Sequence, residues 1–225
     1  MLNRRLLLAN SSNVWSPEYI ESTYTRLTFI ECAGAQYIDL DYIMQEDDVI
    51  EMDYVFTKKD ATAKCLFGTT DGTTRTWIYF YNNIGYISYG STADVQKSTF
   101  SESCNIVFSK TSAIVNGVTT SISNFSAMPN NTMYLFAYKK ADGTADSFGY
   151  CRCSKFVIKR NGEAIKCLLP YKRNEDGVVG MLDITNGNFY ENCGSSVGFV
   201  AGSEIKKASF WGIKHSVLYK YVSGG

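Results

Sequence analysis

The run Glu51-Met-Asp53-Tyr-Val-Phe56 comes nearest to a catalytic carboxylate array in this chain. Two-carboxyl glycoside hydrolysis needs an acid and a nucleophile flanking one bond, about 5–5.5 Å apart in retaining enzymes. Residues i and i+2 of a strand share a face, so Glu51 and Asp53 stand together. A Glu-x-Asp-x-x-Glu array needs a third acid at position 56, and Phe56 stands there. The pair is therefore read as a solvated strand face opposite the core. The single histidine, His215, would have to organise any Ser/His/Asp or Cys/His relay by itself. Gly68-Thr-Thr-Asp-Gly72 lacks the lysine and helix of a phosphate loop. No catalytic residue is assigned, and the chain is expected not to be an enzyme.

Two other residue groups could bind. Trp77, Tyr79 and Tyr81 alternate along one strand face, and Tyr86 and Tyr89 follow closely. Such rings suit the apolar face of a sugar. The same pattern suits a core or subunit contact, which is the commoner fate of such a face. Asp71, Asp94 and Asp142 are loop acids, but a hard cation needs several oxygens converging on one point. Neither a metal nor any other cofactor is assigned. The seven cysteines sit mostly in apolar runs, and only Cys151-x-Cys153 is closely spaced. They are read as buried free thiols, which fits a reducing cytoplasm.

These residues must be positioned by strands. Ile50, Met52, Tyr54 and Phe56 alternate on one face. Further short apolar runs recur from Arg26 onward, separated by turn signals that include Asn116-Gly117 and Asn161-Gly162. Aromatic residues are 14 % of the chain and glycine is plentiful, as all-β domains require. The spacing predicts an antiparallel β-sandwich, with about 70–75 % of the unfolded surface buried at this length. The 22 basic and 22 acidic residues cancel, which argues against nucleic-acid binding. The apolar run Leu6-Leu7-Leu8-Ala9 is too short for a secretory core, and no run is long enough to cross a membrane as a helix. Neither export nor a membrane partner is expected.

Several runs resemble, in order, a laminin-G-like, concanavalin A-like module. They are Phe29-Ile-Glu31-Cys32 with Tyr37-Ile-Asp39, then Leu66-Phe67-Gly68, then Tyr134-Leu-Phe-Ala137 with Asp142-Gly143. Phe156 to Gly162 follows, with Leu168-Leu-Pro170. Asp176-Gly-Val-Val-Gly180, Leu182-Asp183, Asn186-Gly187 and Phe189-Tyr190 complete the set. Such modules recur in virion proteins of tailed bacteriophages, especially those of gut bacteria.

The resemblance implies a concanavalin A-like jelly roll over residues 26–202, with an N-terminal arm at 1–25 and a C-terminal arm at 203–225. It also implies a structural virion protein assembled in the host bacterial cytoplasm, partnered by other capsid or tail proteins and forming a homo-oligomer. The absence of a stem, repeat or heptad favours a capsid decoration or head fibre. The alternative is a lectin-like receptor-binding module of the tail or tail fibre that takes a host-surface glycan on Trp77, Tyr79, Tyr81, Tyr86 and Tyr89. Large apolar groups in the arms, Leu6, Leu7, Leu8 and Trp15 in one and Phe210, Trp211 and Leu218 in the other, are the expected assembly anchors.

Overall fold

The computed structural model describes residues 17–58, 62–82, 84–97, 100–194 and 197–206. The chain enters through a short helix, α1 (Pro17–Thr23), with proline at its start, where a missing N–H costs no helix hydrogen bond. Ile20 of this helix is buried. The strands follow in chain order: β1 (Tyr24–Arg26), β2 (Ile30–Ala33), β3 (Ile38–Asp39), β4 (Asp48–Phe56), β5 (Lys64–Thr70) and β6 (Arg75–Tyr81). Next come β7 (Ile84–Ser91), β8 (Val95–Lys97), β9 (Ser103–Phe108), β10 (Ser112–Val115), β11 (Val118–Ser121), β12 (Tyr134–Leu135) and β13 (Tyr138–Lys139). The last are β14 (Ala145–Asp146), β15 (Tyr150–Arg160), β16 (Glu163–Arg173), β17 (Val179–Asp183), β18 (Phe189–Tyr190) and β19 (Val200–Ala201).

They form an all-β sandwich of two sheets. The larger runs β11-β10-β9-β4-β15-β16-β17-β18, and the smaller runs β14-β13-β5-β6-β7-β8. Past the hairpin that joins them, β15 and β16 diverge. β2 takes the freed edge of β15 at Tyr150–Cys153, and β1 takes that of β16 at Tyr171–Arg173. Both expected Asn-Gly turns are two-residue hairpins with positive φ at each central position, 50° and 79° at Asn116-Gly117 and 53° and 83° at Asn161-Gly162. That left-handed pair matches the twist of the flanking strands, and Asn and Gly tolerate it best.

The alternation read in β4 places Ile50, Met52, Tyr54 and Phe56 in the core. Rings from the smaller sheet meet those of the larger across the sandwich. Phe67 lies 5.6 Å from Phe108 and 5.8 Å from Phe156, Phe80 lies 4.3 Å from Phe56, and Tyr89 lies 5.1 Å from Phe108. Each such pair contributes about 0.5–1.5 kcal/mol beyond area burial. The run from Met133 to Tyr138 is not one strand. Phe136 has φ +70° and breaks it, so that Tyr134 pairs antiparallel and Tyr138 parallel with the same residue, Gly68. A Cβ at Gly68 would lie 2.6 Å from the Trp77 Cβ, so only glycine fits the crossing.

Parts of both sequence-defined arms belong to the sheet. β1 pairs with β16, Thr28 N donates to Ser203 O at 2.9 Å, and Ile205 N donates to Arg26 O at 2.9 Å. The proposed anchors Leu6, Leu7, Leu8, Trp15, Phe210, Trp211 and Leu218, and also His215, lie outside the described residues. Among the described residues, no helix is long and apolar enough to cross a membrane.

Candidate functional site

Alternation along β6 puts Trp77, Tyr79 and Tyr81 on the outer face of the smaller sheet, and β7 adds Tyr86 beside Tyr79. Four of the five expected platform residues therefore share a face. Tyr89 does not. It is three residues from Tyr86 on the same strand, and an odd offset turns a side chain to the opposite face. Tyr89 is 0 % exposed, and its hydroxyl donates within the β4 turn, with Asp48 O nearest at 2.6 Å.

The outward rings pack largely on one another. Tyr79 and Tyr86 stack at 4.8 Å, Trp77 meets Tyr79 edge-on at 5.3 Å, and Tyr138 closes on Trp77 at 5.1 Å. The Arg75 guanidinium lies 5.1 Å over the Trp77 ring. Trp77 Nε1 donates to Asp94 Oδ1 at 2.9 Å, and Arg75 Nε sits 3.4 Å from the same oxygen without hydrogen-bond geometry. Burial, then the Asp94 charge, pushes the Tyr79 phenol up to about 12. Tyr81, 46 % exposed, is the most open ring of the group.

On the larger sheet the two β4 acids face outward, as expected, and are neutralised by lysines of β15. Lys159 Nζ lies 2.6 Å from Glu51, and Lys155 Nζ lies 3.7 Å from both Glu51 and Asp53. Phe56 points the other way, into the core.

The sequence reading missed a cleft beside Asp53. It holds about 450 Å³ and is lined by Thr28 and Phe29, by Asp53 to Val55, by Ser103 to Asn105, and by Asn116, Arg152 and Ser154. Its cause is local. The register of β15 against β4 jumps between Cys153 and Lys155, leaving Ser154 as an extra residue. A bulge of this kind bends the strand and re-aims its side chains. Asn105 Nδ2 donates to Asp53 Oδ1 at 2.6 Å. Asn116 Oδ1 accepts from Asn105 N at 2.8 Å and so holds the hairpin tip against the wall. Arg152 lies 4.6 Å over the Phe29 ring and donates from Nε to Glu31 at 2.7 Å. The lining comes from separate segments of the chain, and no local run announces it.

A charged cluster closes one end of the core face. Arg160 Nε donates to Asp48 Oδ1 at 2.9 Å, Tyr42 OH donates to Asp48 Oδ2 at 2.7 Å, and Arg160 Nη2 donates to Tyr42 OH at 2.6 Å. Nearby, Lys166 is 8 % exposed and donates to Tyr190 OH at 2.5 Å. Asp183, 0 % exposed, accepts at Oδ1 from Cys167 N, Thr185 N and Thr185 Oγ1, at 3.0, 3.1 and 2.7 Å. Its Oδ2 is 3.9 Å from Lys166 Nζ and has no hydrogen bond.

The loop acids are occupied separately. Asp94 holds Trp77, and Asp142 accepts from Thr144. Burial works against the Asp71 carboxylate, but the amides of Thr74, Thr73 and Asn130 hold it below its usual range. Among the described residues, no group of three or more histidines, cysteines or acids lies together to hold a metal ion. All seven cysteines are free. Five are buried and Cys167 is half-buried, but Cys193 is exposed, which corrects its reading as a buried thiol. It lies in the irregular segment after β18, with no strand to bury it. Burial pushes the Cys153 thiol up to about 12 and that of Cys167 to about 11.

Neither protein-family models nor curated proteins give a match to this chain.

Proposed function

We propose that the chain is a non-enzymatic structural protein of a tailed-phage virion, a jelly-roll module displayed on the particle as a capsid decoration or head fibre and attached through its terminal arms. The observation that carries the reading is the fate of the carboxylate pair. Glu51 and Asp53 are spent on Lys155 and Lys159, and the position a third acid would need is filled by a ring packed on Phe80. The motif runs that resemble virion modules also fall on strands and turns of the sandwich. Gly68 occupies the crossing of β12 and β13, and Asp183 caps the turn that carries Asn186-Gly187. Immunogold electron microscopy of purified particles tests the proposal. Label distributed over the heads is the expected result. Particles without label, or sugar release from bacterial polysaccharide by the pure protein, would overturn it.

The second reading, a lectin-like receptor-binding module, is favoured by the clustering of Trp77, Tyr79, Tyr81 and Tyr86 on one outer face. Against it stands the mutual packing of those rings, which leaves Tyr81 as the most open of them.

A further inference from the structure

We propose that Asn161, at the tip of the β15–β16 hairpin, is a self-modification site that loses its side-chain amide spontaneously and becomes aspartate or isoaspartate. This chemistry is independent of the structural role.

Asparagine is thermally labile, and most so before glycine, whose backbone nitrogen no side chain shields. Gly162 N attacks Cγ of Asn161 and closes a five-membered imide. The new C–N bond forms, the Gly162 amide proton is given up, and the side-chain nitrogen leaves as ammonia. Water then opens the ring at either carbonyl. Opening at the side-chain carbonyl gives aspartate. Opening at the main-chain carbonyl gives isoaspartate, whose backbone runs through the former side chain. Water is the only co-reactant, and nothing is oxidised or reduced.

The chain contains three Asn-Gly pairs, and all three asparagines are exposed. Hydrogen bonding separates them. The Asn116 carboxamide is held at both ends: Nδ2 donates to Ser101 Oγ at 2.6 Å and to Ser103 O at 3.0 Å, and Oδ1 accepts from Asn105 N at 2.8 Å. In the Asn186 pair the attacking nitrogen is engaged, since Gly187 N donates to Asp183 O at 2.7 Å. Asn186 Oδ1 also accepts from Asn188 N at 2.9 Å. Neither the Asn161 carboxamide nor Gly162 N has a hydrogen-bond partner among the described residues. A Cβ at Gly162 would meet no atom within 4 Å, so the turn has room to leave its left-handed geometry. Gly117 is equally open, and the difference there rests with the carboxamide.

The product acts on the hairpin. Arg160 faces Glu163 across a two-residue loop, and loop length sets the register of such a hairpin. Isoaspartate adds one backbone carbon to that loop. Arg160, next in the chain, holds Asp48 and Tyr42, so a change at the tip reaches the charged end of the core face. Either product also sets a new carboxylate beside this guanidinium.

The test ages the full chain in warm, mildly alkaline buffer, in parallel with a sample unfolded in urea under reducing conditions. Peptide mass spectrometry, with fragmentation that separates aspartate from isoaspartate, reads each pair. In the folded chain Asn161 should convert about tenfold or more faster than Asn116 and Asn186, whose hydrogen bonds must break first. In urea the three rates should converge. Amide hydrogen exchange at Arg160 and Glu163 should quicken with ageing, and Asn161→Gln should abolish that change. The proposal is overturned if Asn116 or Asn186 converts as fast as Asn161 in the folded chain, or if the same order persists in urea. It is also overturned if exchange at the hairpin does not change on ageing, or changes equally in Asn161→Gln.

Discussion

Replacing Asp183 by alanine tests the charged end of the core most directly. The carboxylate is fully buried and its Oδ1 serves three donors. Removing it leaves the half-buried Cys167 amide without an acceptor, at a cost of about 1–3 kcal/mol. The exposed Thr185 donors recover water and add little. Lys166, 8 % exposed, loses the carboxylate 3.9 Å from its ammonium, and breaking a buried ion pair on one side costs about 3–5 kcal/mol. Because the ammonium is 3.9 Å from Oδ2 without a hydrogen bond, the lower part of that range applies to the pair. The expected total is about 4–6 kcal/mol, a fall in Tm of about 10–20 °C for a chain of this length. Urea unfolding under reducing conditions measures it. Lys166→Met should cost only about 1–2 kcal/mol, since Asp183 Oδ1 keeps its donors. The double variant should be less unstable than the sum by about 1 kcal/mol or more, because it removes the orphaned charge. A cost below about 1 kcal/mol for Asp183→Ala, or strict additivity, would refute the reasoning.

Three further outcomes are expected. In the native protein at neutral pH, a thiol reagent read by peptide mass spectrometry should label Cys193 first, with the buried thiols reacting only on unfolding; early modification of Cys65 or Cys151 would contradict their burial. Phe56→Glu should destabilise by about 3–5 kcal/mol without producing polysaccharide hydrolysis, since a charge replaces a ring packed on Phe80 and faces away from Glu51 and Asp53; a stable variant that releases reducing sugar would overturn this. Tyr79, Tyr134 and Tyr138 have phenols raised to about 12 in the folded state, chiefly by burial, so the unfolded chain loses their protons first. Their contribution is complete below pH of about 10 and disappears as pH rises towards about 12. Unfolding followed across that window should show falling stability, and a flat profile would remove the basis for the shifts.

Elements whose signal is local were legible in the sequence. The alternation of β4 fixed which residues enter the core, and two Asn-Gly pairs marked hairpins whose left-handed φ values only such residues adopt freely. Features that depend on pairing between distant segments were not. The bulge at Ser154 exists only relative to β4, about a hundred positions earlier in the chain, so the cleft has no sequence run of its own. Phe136 at φ +70° splits an apolar run that reads as a single strand, because Leu66 and Gly149 hold its backbone from either side. Tyr89 was grouped with Tyr86 by proximity when strand parity separates them. The sequence boundary at Arg26 cut β1, whose partner lies far along the chain in β16.

The pairing of Leu27 with Glu204, flanked by the Thr28–Ser203 and Arg26–Ile205 hydrogen bonds, brings the incoming and outgoing chain to the same corner of the sandwich. A body with both leads at one corner behaves as a cassette on a single handle. It can be spliced into a loop of another chain without stretching either connection.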